Sequence, residues 1–171
     1  MEIFCPECKA GISPTKEACE RCQTRYRGNT AFIDYEPDNN FYWGELEKGE
    51  MEKLLDFAKT VGYKKACFDF FKNHRRKSLL TYILSKKDRV AFLNFIYNKK
   101  YTDRALDLGS GFGTIPAALS ELFKEVYSIE NVKERVEFQT IIKSDDKIKN
   151  WQILKGDIRV LPFPDNYFDF V

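Results

Sequence analysis

The sequence predicts an α/β fold: a parallel sheet with helices in the C-terminal part, preceded by a helical segment and a small cysteine-rich unit. Three observations predict it. The stretch "RALDLGSGFGTIPAALSELFKEVYSIEN" (104–131) reads as an apolar run, a glycine-rich turn, a helical stripe and a second apolar run. The middle of the chain carries apolar residues at helical spacing. The first 22 residues hold two CxxC pairs.

Composition bounds the function. The 171 residues are 43% hydrophobic, enough to bury a core, and 15% aromatic. Charged residues reach 32% but nearly cancel, to +2. That balance argues against a dedicated nucleic-acid or membrane-surface binder. No apolar run approaches the ~20 residues of a membrane span. The N-terminus lacks the basic start and apolar centre of a signal peptide, because Cys5 and Cys8 stand where that centre would be. A soluble, cytoplasmic protein without a membrane partner is the expectation.

In "CPECKAGISPTKEACERC", Cys5 and Cys8 are followed after ten residues by Cys19 and Cys22. A CxxC pair lets both sulfurs turn onto one point, and two pairs on facing turns supply the four thiolates of tetrahedral zinc. Gly11 stands where a metal knuckle often needs a flexible residue, and Ser13-Pro14 marks the turn between the arms. Disulfides fit poorly with a cytoplasmic enzyme, and a redox CxxC usually sits beside a βαβ pattern that is missing here. The unit resembles a zinc ribbon. Its Zn2+ is expected to be structural, since four thiolates leave no open position, and to supply most of the folding energy of a segment with little core of its own. On that view the ribbon is a separate unit, whose loss spares the rest. Cys67, amid Phe68, Phe70 and Phe71, reads as a buried structural thiol.

"TAFIDYEPDNNFYWGE" reads as an extended exit from the ribbon, then a turn-rich linker at Pro37 and Asp38-Asn39-Asn40. Met51, Leu54, Leu55, Ala58 and Val61 form the stripe of a first helix, which Gly62 ends. A second helix is predicted over about 64–74, and a third over about 88–97 with Asp88 at its N-cap. "KNHRRK" between them is a basic cluster, either a solvated face or a contact for an acidic partner. His74, the sole histidine, has no neighbouring ligand or nucleophile in sequence and is assigned no catalytic role.

"RALDLG" suits a buried parallel strand. Gly109, Gly111 and Gly113 follow, and the next helix carries Ile115, Ala118, Leu119, Leu122 and Phe123 on one face, with Pro116 tolerated in its first turn. "EVYSIE" is the next strand. In such a βαβ unit ligands bind at the carboxyl ends of the strands. The glycines let a ligand lie against the backbone. Glu130, at the second strand's end, can accept hydrogen bonds from two ribose hydroxyls, so the ligand is an adenosine-type cofactor. A dinucleotide site reads G-x-G-x-x-G; here the third glycine comes one residue early. Asp107, two residues before the first glycine, suits a ligand with an ammonium group and would repel a pyrophosphate.

At this point "LDLGSGFG" resembles the first motif of the class I S-adenosylmethionine-dependent methyltransferases. "LKGDIRVLPFPDNYFDFV" resembles the family's third-strand end and approach to its fourth strand. The resemblance covers 104–171. It implies a Rossmann-like, seven-stranded core cut in the fourth strand, which lies beside the first, and S-adenosylmethionine as cofactor. It places Asp157 against the adenine amino group and the Ile158 backbone N–H against the ring. The cofactor-binding set is then Asp107, Gly109, Ser110, Gly111, Gly113, Glu130, Asn131, Asp157 and Ile158, and the metal set Cys5, Cys8, Cys19 and Cys22. The division expected is ribbon 1–35, linker and helices 36–100, and methyltransferase part 101–171. No catalytic base stands out, Asp169 reading better as a strand cap. The "LPFPDNYFDFV" style points to a small-molecule or saccharide-type acceptor. Zinc-bearing ribosomal RNA methyltransferases, which often use His as a ligand, are the alternative, and a ribbon interaction module on a degenerate core is a second.

Overall fold

The computed structural model of the chain describes residues 2–28, 31–36, 39–91 and 103–171. Two short strands, β1 (Arg27–Gly28) and β2 (Phe32–Asp34), follow the cysteine pairs. Helices α1 (Lys48–Val61), α2 (Tyr63–Phe71), α3 (Ser78–Leu84) and α4 (Lys86–Arg89) come next. Strand and helix then alternate: β3 (Arg104–Leu108), α5 (Thr114–Leu119), β4 (Glu125–Glu130), α6 (Lys133–Asp145) and β5 (Trp151–Lys155).

The sheet has the order β1-β2-β5-β4-β3. β3, β4, β5 and β2 are parallel, and β1 runs antiparallel to β2. β4 is buried along both faces from Val126 to Glu130, so its sequence shows no polar alternation. On the other side of β3, Ala105 bridges Phe170 in parallel and the Leu106 amide donates to the Phe170 carbonyl at 2.9 Å. The segment after β5 therefore returns beside β3, the position expected for the fourth strand.

The extended exit from the cysteine unit is β2, and it joins the sheet: Phe32, Ile33 and Asp34 pair with Ile153, Leu154 and Lys155. The partner strand lies about 120 residues away, so no local pattern announces the pairing. Alternate residues of the central strands face two different cores. Val126, Trp151 and Ile153 pack with Met51, Leu54, Leu55 and Ala58 of α1 and Val136, Phe138 and Ile142 of α6. Leu106, Tyr127, Ile129 and Leu154 pack with Cys5, Cys19, Tyr26, Ile33 and Phe163. The cysteine unit thus covers one face of the sheet and shares its core. A unit too small to bury its own apolar surface has buried that surface on the strands, so it is joined to the sheet and not packed apart from it.

The helices match expectation at the end of α1 and differ from it in α2, α3 and α4. α1 ends at Gly62, as predicted, with φ +82° there. α2 stops at Phe71, before the predicted His74, because the ring of His74 accepts from the Arg76 amide at 3.1 Å and fixes a turn. The basic cluster turns inward: His74 and Arg75 both meet Glu50, which also accepts from the Glu47 amide at 2.9 Å at the N-terminus of α1. α3 was not anticipated, since its seven residues offer only Leu79 and Ile83 as a buried stripe. Asp88 is the third residue of α4, with Ser85 at the N-cap instead. The rest of the predicted third helix, 92–97, and the turn residues Pro37 and Asp38 lie outside the described residues. Among the described residues no helix is long and apolar enough to cross a membrane.

Candidate cofactor and metal sites

β3 leads directly into the glycine loop. The amides of Gly109 and Ser110 both donate to the Ile129 carbonyl, at 2.9 and 3.1 Å, which folds the loop across the end of β4. Gly109, Gly111 and Gly113 all have positive φ: 68°, 55° and 83°. They differ in what surrounds them. A Cβ on Gly109 would meet nothing within 4 Å, so that backbone is open to a ligand. A Cβ on Gly113 would lie 2.6 Å from Gln139 Cγ and 2.8 Å from Trp151 Cη2, so Gly113 permits the close packing of α5, α6 and β5.

A buried polar network supports the loop from beneath. Gln139 Nε2 donates to Ser110 Oγ and to the Gly111 carbonyl, both at 2.9 Å. Its Oε1 accepts from Ser128 Oγ at 3.0 Å, and Ser128 in turn accepts from Trp151 Nε1 at 2.8 Å. Sequence reasoning named Ser110 and Gly111 but missed Gln139, Ser128 and Trp151. The available signal was a polar residue, Gln139, on the face of α6 that also buries Val136 and Ile142.

Glu130 is 6% exposed and closes the loop. Its Oε2 accepts from the Gly111 amide at 2.8 Å, and its Oε1 accepts from the amides of Asn131 and Val132, both at 2.9 Å. A carboxylate has about four acceptor positions, so with three taken by amides about one remains for a ribose hydroxyl. Asp107 faces the same end of the sheet. Its Oδ2 is buried and has no hydrogen-bond partner among the described residues. Burial, then the charge of Glu130, pushes its carboxyl up to about 7. A buried acceptor without a donor is the form expected of a site built for a cationic ligand. The residues present therefore fit a cofactor with an ammonium group and ribose.

The remaining predicted residues border this region. Asn131 Oδ1 accepts from Asn39 Nδ2 at 3.2 Å, tying the linker to the loop. Asp157, beyond β5, is paired with Arg159 at 2.8 and 2.9 Å, and that guanidinium holds its carboxyl down at about 2. Arg159 is exposed and Ile158 is half-exposed, so an incoming ring can displace the pair. Arg135, also missed, is 4% exposed. Its guanidinium pairs with Glu45 and lies 5.2 Å from the ring centre of Phe112, which brings the 41–46 segment alongside the loop. Asp169 Oδ2 accepts from the amides of Asp103 and Arg104 at 3.0 and 2.9 Å, as the strand cap expected.

Residues 106–171 match the family described as methyltransferase domain. The matched segment, about two fifths of the chain, is similar to a methyltransferase domain. An uncharacterized methyltransferase of Bacillus subtilis, YcgJ, is 32% identical over 68 residues, covering 40% of this chain and 27% of that protein. An uncharacterized methyltransferase of Schizosaccharomyces pombe is 37% identical over 81 residues, covering 42% and 29%. The crystal structure of the Bacillus protein has 31% identity and a TM-score of 0.38, over 40% of this chain and 29% of that one. The chain therefore spans less than a third of the length of these relatives.

Against the matched segment sits the four-cysteine site. The Sγ atoms of Cys5, Cys8, Cys19 and Cys22 all lie within 4.8 Å of one another, with Cys5–Cys22 at 3.4 Å and Cys8–Cys19 at 3.6 Å. Tetrahedral zinc with Zn–S of about 2.3 Å requires sulfurs about 3.8 Å apart, so the donor set fits that ion. The Thr24 hydroxyl, 3.1 Å from Cys22 Sγ, and the Thr24 amide bring that thiol down to about 6, toward the thiolate that a metal binds. The turn after each pair uses positive φ at Lys9 (55°) and Gln23 (62°). Gly11 instead bridges Phe4 across the first hairpin, which corrects its expected role as the flexible knuckle residue: the chain reverses directly after the second cysteine, before reaching Gly11. Cys67 is fully buried, and burial pushes its thiol up to about 12, as suits a structural role.

A cavity of about 710 Å³ lies between α2, α4, α5 and the end of α6. No glycine-loop residue lines it, so it is not the site described above.

Proposed function

We propose that this chain supplies the cofactor-binding part of an enzyme that transfers a methyl group from S-adenosylmethionine to a small-molecule or saccharide-type acceptor, with a structural zinc ion held by Cys5, Cys8, Cys19 and Cys22. The observation that carries the reading is the unpartnered, buried Oδ2 of Asp107 beside a glycine backbone of positive φ. When bound, S-adenosylmethionine supplies an electrophilic methyl group on its sulfonium. Asp107 takes the ammonium group of the ligand. Glu130 accepts from a ribose hydroxyl while its bonds to the Gly111, Asn131 and Val132 amides hold it in place. Gly109 lets the ligand approach the backbone, and Asp157 and Ile158 meet adenine. Methyl transfer to a good nucleophile then needs positioning above all. The two relatives, both named as methyltransferases, support the reaction class.

The basic cluster 72–77 bears on the acceptor. Arg75 and His74 are engaged with Glu50, and Lys72 lies 3.7 Å from Asp69, so these three groups brace helices, while Arg76 and Lys77 are exposed. Engagement of three of the cluster's five basic side chains supports a small acceptor over nucleic acid. Calorimetric titration tests the cofactor assignment. S-adenosylmethionine or its demethylated product should bind, and NAD should not at comparable concentration, because its pyrophosphate would meet Asp107. Tighter binding of NAD would overturn the reading.

A further inference from the structure

The cysteine unit does more than cover the sheet. A cavity of about 130 Å³ opens at the carboxyl ends of β4 and β5. Its inner wall is Ile129, Gly156 and Asp157, of which Asp157 is placed against adenine above and is followed directly by Ile158. Its outer wall comes from the metal unit: Pro6, Glu7 and Thr24. Pro6 and Glu7 are the two residues between the ligands Cys5 and Cys8. Thr24 holds the sulfur of Cys22 at 3.1 Å through its hydroxyl.

Three ties fix this wall to the sheet. Tyr35 donates its hydroxyl to the Phe4 carbonyl at 2.9 Å, one residue before Cys5. The same side chain lies against Gly156, where a Cβ would be 3.5 Å from its ring. Lys9, directly after Cys8, donates to the carbonyls of Pro6 and of Leu161 in the segment after β5.

We propose that the metal knuckle is a wall of the adenine cavity, so that the ion in the four-cysteine site and the adenosine cofactor bind with positive linkage. This rests on the cofactor reading given above. The physical reason is local. The Cys5–Cys8 turn is a short hairpin, and the ion's bonds to its two sulfurs fix the backbone of Pro6 and Glu7. Without those bonds the turn gains conformational freedom, and a ligand that needs it ordered must supply the ordering free energy itself. Linkage is reciprocal: the factor by which the ion raises cofactor affinity is the factor by which the cofactor raises affinity for the ion.

The test uses S-adenosylhomocysteine and zinc with the full chain. The ligand is titrated calorimetrically into zinc-loaded protein and into protein stripped with a chelator, with circular dichroism reporting whether the stripped chain keeps its helices. Affinity should fall by roughly tenfold or more on stripping, in the usual range of coupling between sites. Zinc transfer to a chromophoric chelator should slow by the same factor when the ligand is present. Equal affinity of both forms would overturn the linkage and leave the cofactor reading standing. Binding to neither form would overturn both. Should stripping unfold the chain, the double substitution Pro6→Gly/Glu7→Gly leaves all four cysteines and Thr24 in place. It should retain zinc and weaken S-adenosylhomocysteine, and a variant that keeps zinc and full ligand affinity would overturn the proposal.

Discussion

Asp107 carries two opposed consequences. Its carboxyl is held up at about 7, above the ordinary carboxylate value near 3.9. The folded chain therefore binds a proton that the unfolded chain has released between about pH 4 and pH 7. Stability from this group falls as pH rises through that window. Asp107→Asn should remove the decline and stabilise the ligand-free chain at pH 8 by roughly 1–3 kcal/mol, since each tenfold change in proton affinity is worth about 1.4 kcal/mol. The same variant should bind S-adenosylhomocysteine more weakly and lose the rise in affinity that the parent shows as pH climbs through about 7. Denaturant melts and titrations at pH 6 and pH 8 check both. A variant that is both less stable and unchanged in affinity would remove Asp107 from the site. Asp107 was legible in sequence from its offset to Gly109. Its orphaned oxygen was not, because that depends on burial and on how Glu130 spends its own bonds on the loop amides.

At the scale of elements, the three glycines look alike in sequence and separate in the structure. Gly113→Ala forces a methyl against Gln139 and Trp151 at a φ of +83°, and should cost about 2–4 kcal/mol of stability from overpacking plus left-handed strain. Gly109→Ala carries only the strain, about 1–2 kcal/mol, since no atom lies within 4 Å; its larger effect should be on cofactor affinity. Urea denaturation followed by Trp151 fluorescence ranks the two, and the reverse order would show that the packing has been misread. β2 and β5 offer a second case. Lys155 is 1% exposed and its Nζ meets Asp34 Oδ1 at 3.1 Å and the Glu36 carbonyl at 2.6 Å. Lys155→Met strands a buried carboxylate and should cost about 3–5 kcal/mol. Adding Asp34→Asn should recover much of that, because the neutral side chain can still accept from the Glu36 amide. A double variant no better than the single would mean that the pair does not set the β2 register. β3, β4 and helices α1 and α5 were readable from apolar runs and helical spacing. β2's partner and the seven-residue α3 were not, since one depends on contact across the chain and the other is too short to show a period.

For the whole molecule, the division between cysteine unit and methyltransferase segment is a boundary in sequence more than in space. An α/β sheet needs cover on both faces. α1, α2, α5 and α6 cover one. On the other, Phe4, Tyr127, Phe163, Tyr167 and Phe168 form an edge-on and stacked aromatic group, with Phe163 and Tyr167 centroids 5.7 Å apart at 14°. The "LPFPDNYF" segment that carries the family resemblance is thus also the seat of the metal unit. Its aromatics read in sequence as an undirected core; their partner, Phe4, lies one residue before the first cysteine. Two units that share a core unfold together when the shared contacts exceed what either holds alone. Removing the metal should therefore lower the melting temperature of the entire chain in one transition, seen alike by far-ultraviolet circular dichroism, which reports the helices, and by tyrosine fluorescence, which reports the aromatic group. Phe163→Ala, which leaves the four cysteines untouched, should destabilise by about 3–5 kcal/mol and raise the rate of zinc loss to a chelator, because the knuckle loses its seat on the sheet. Two separate transitions, the first confined to the tyrosine signal and abolished by the chelator, would show that the ribbon folds apart from the sheet it covers.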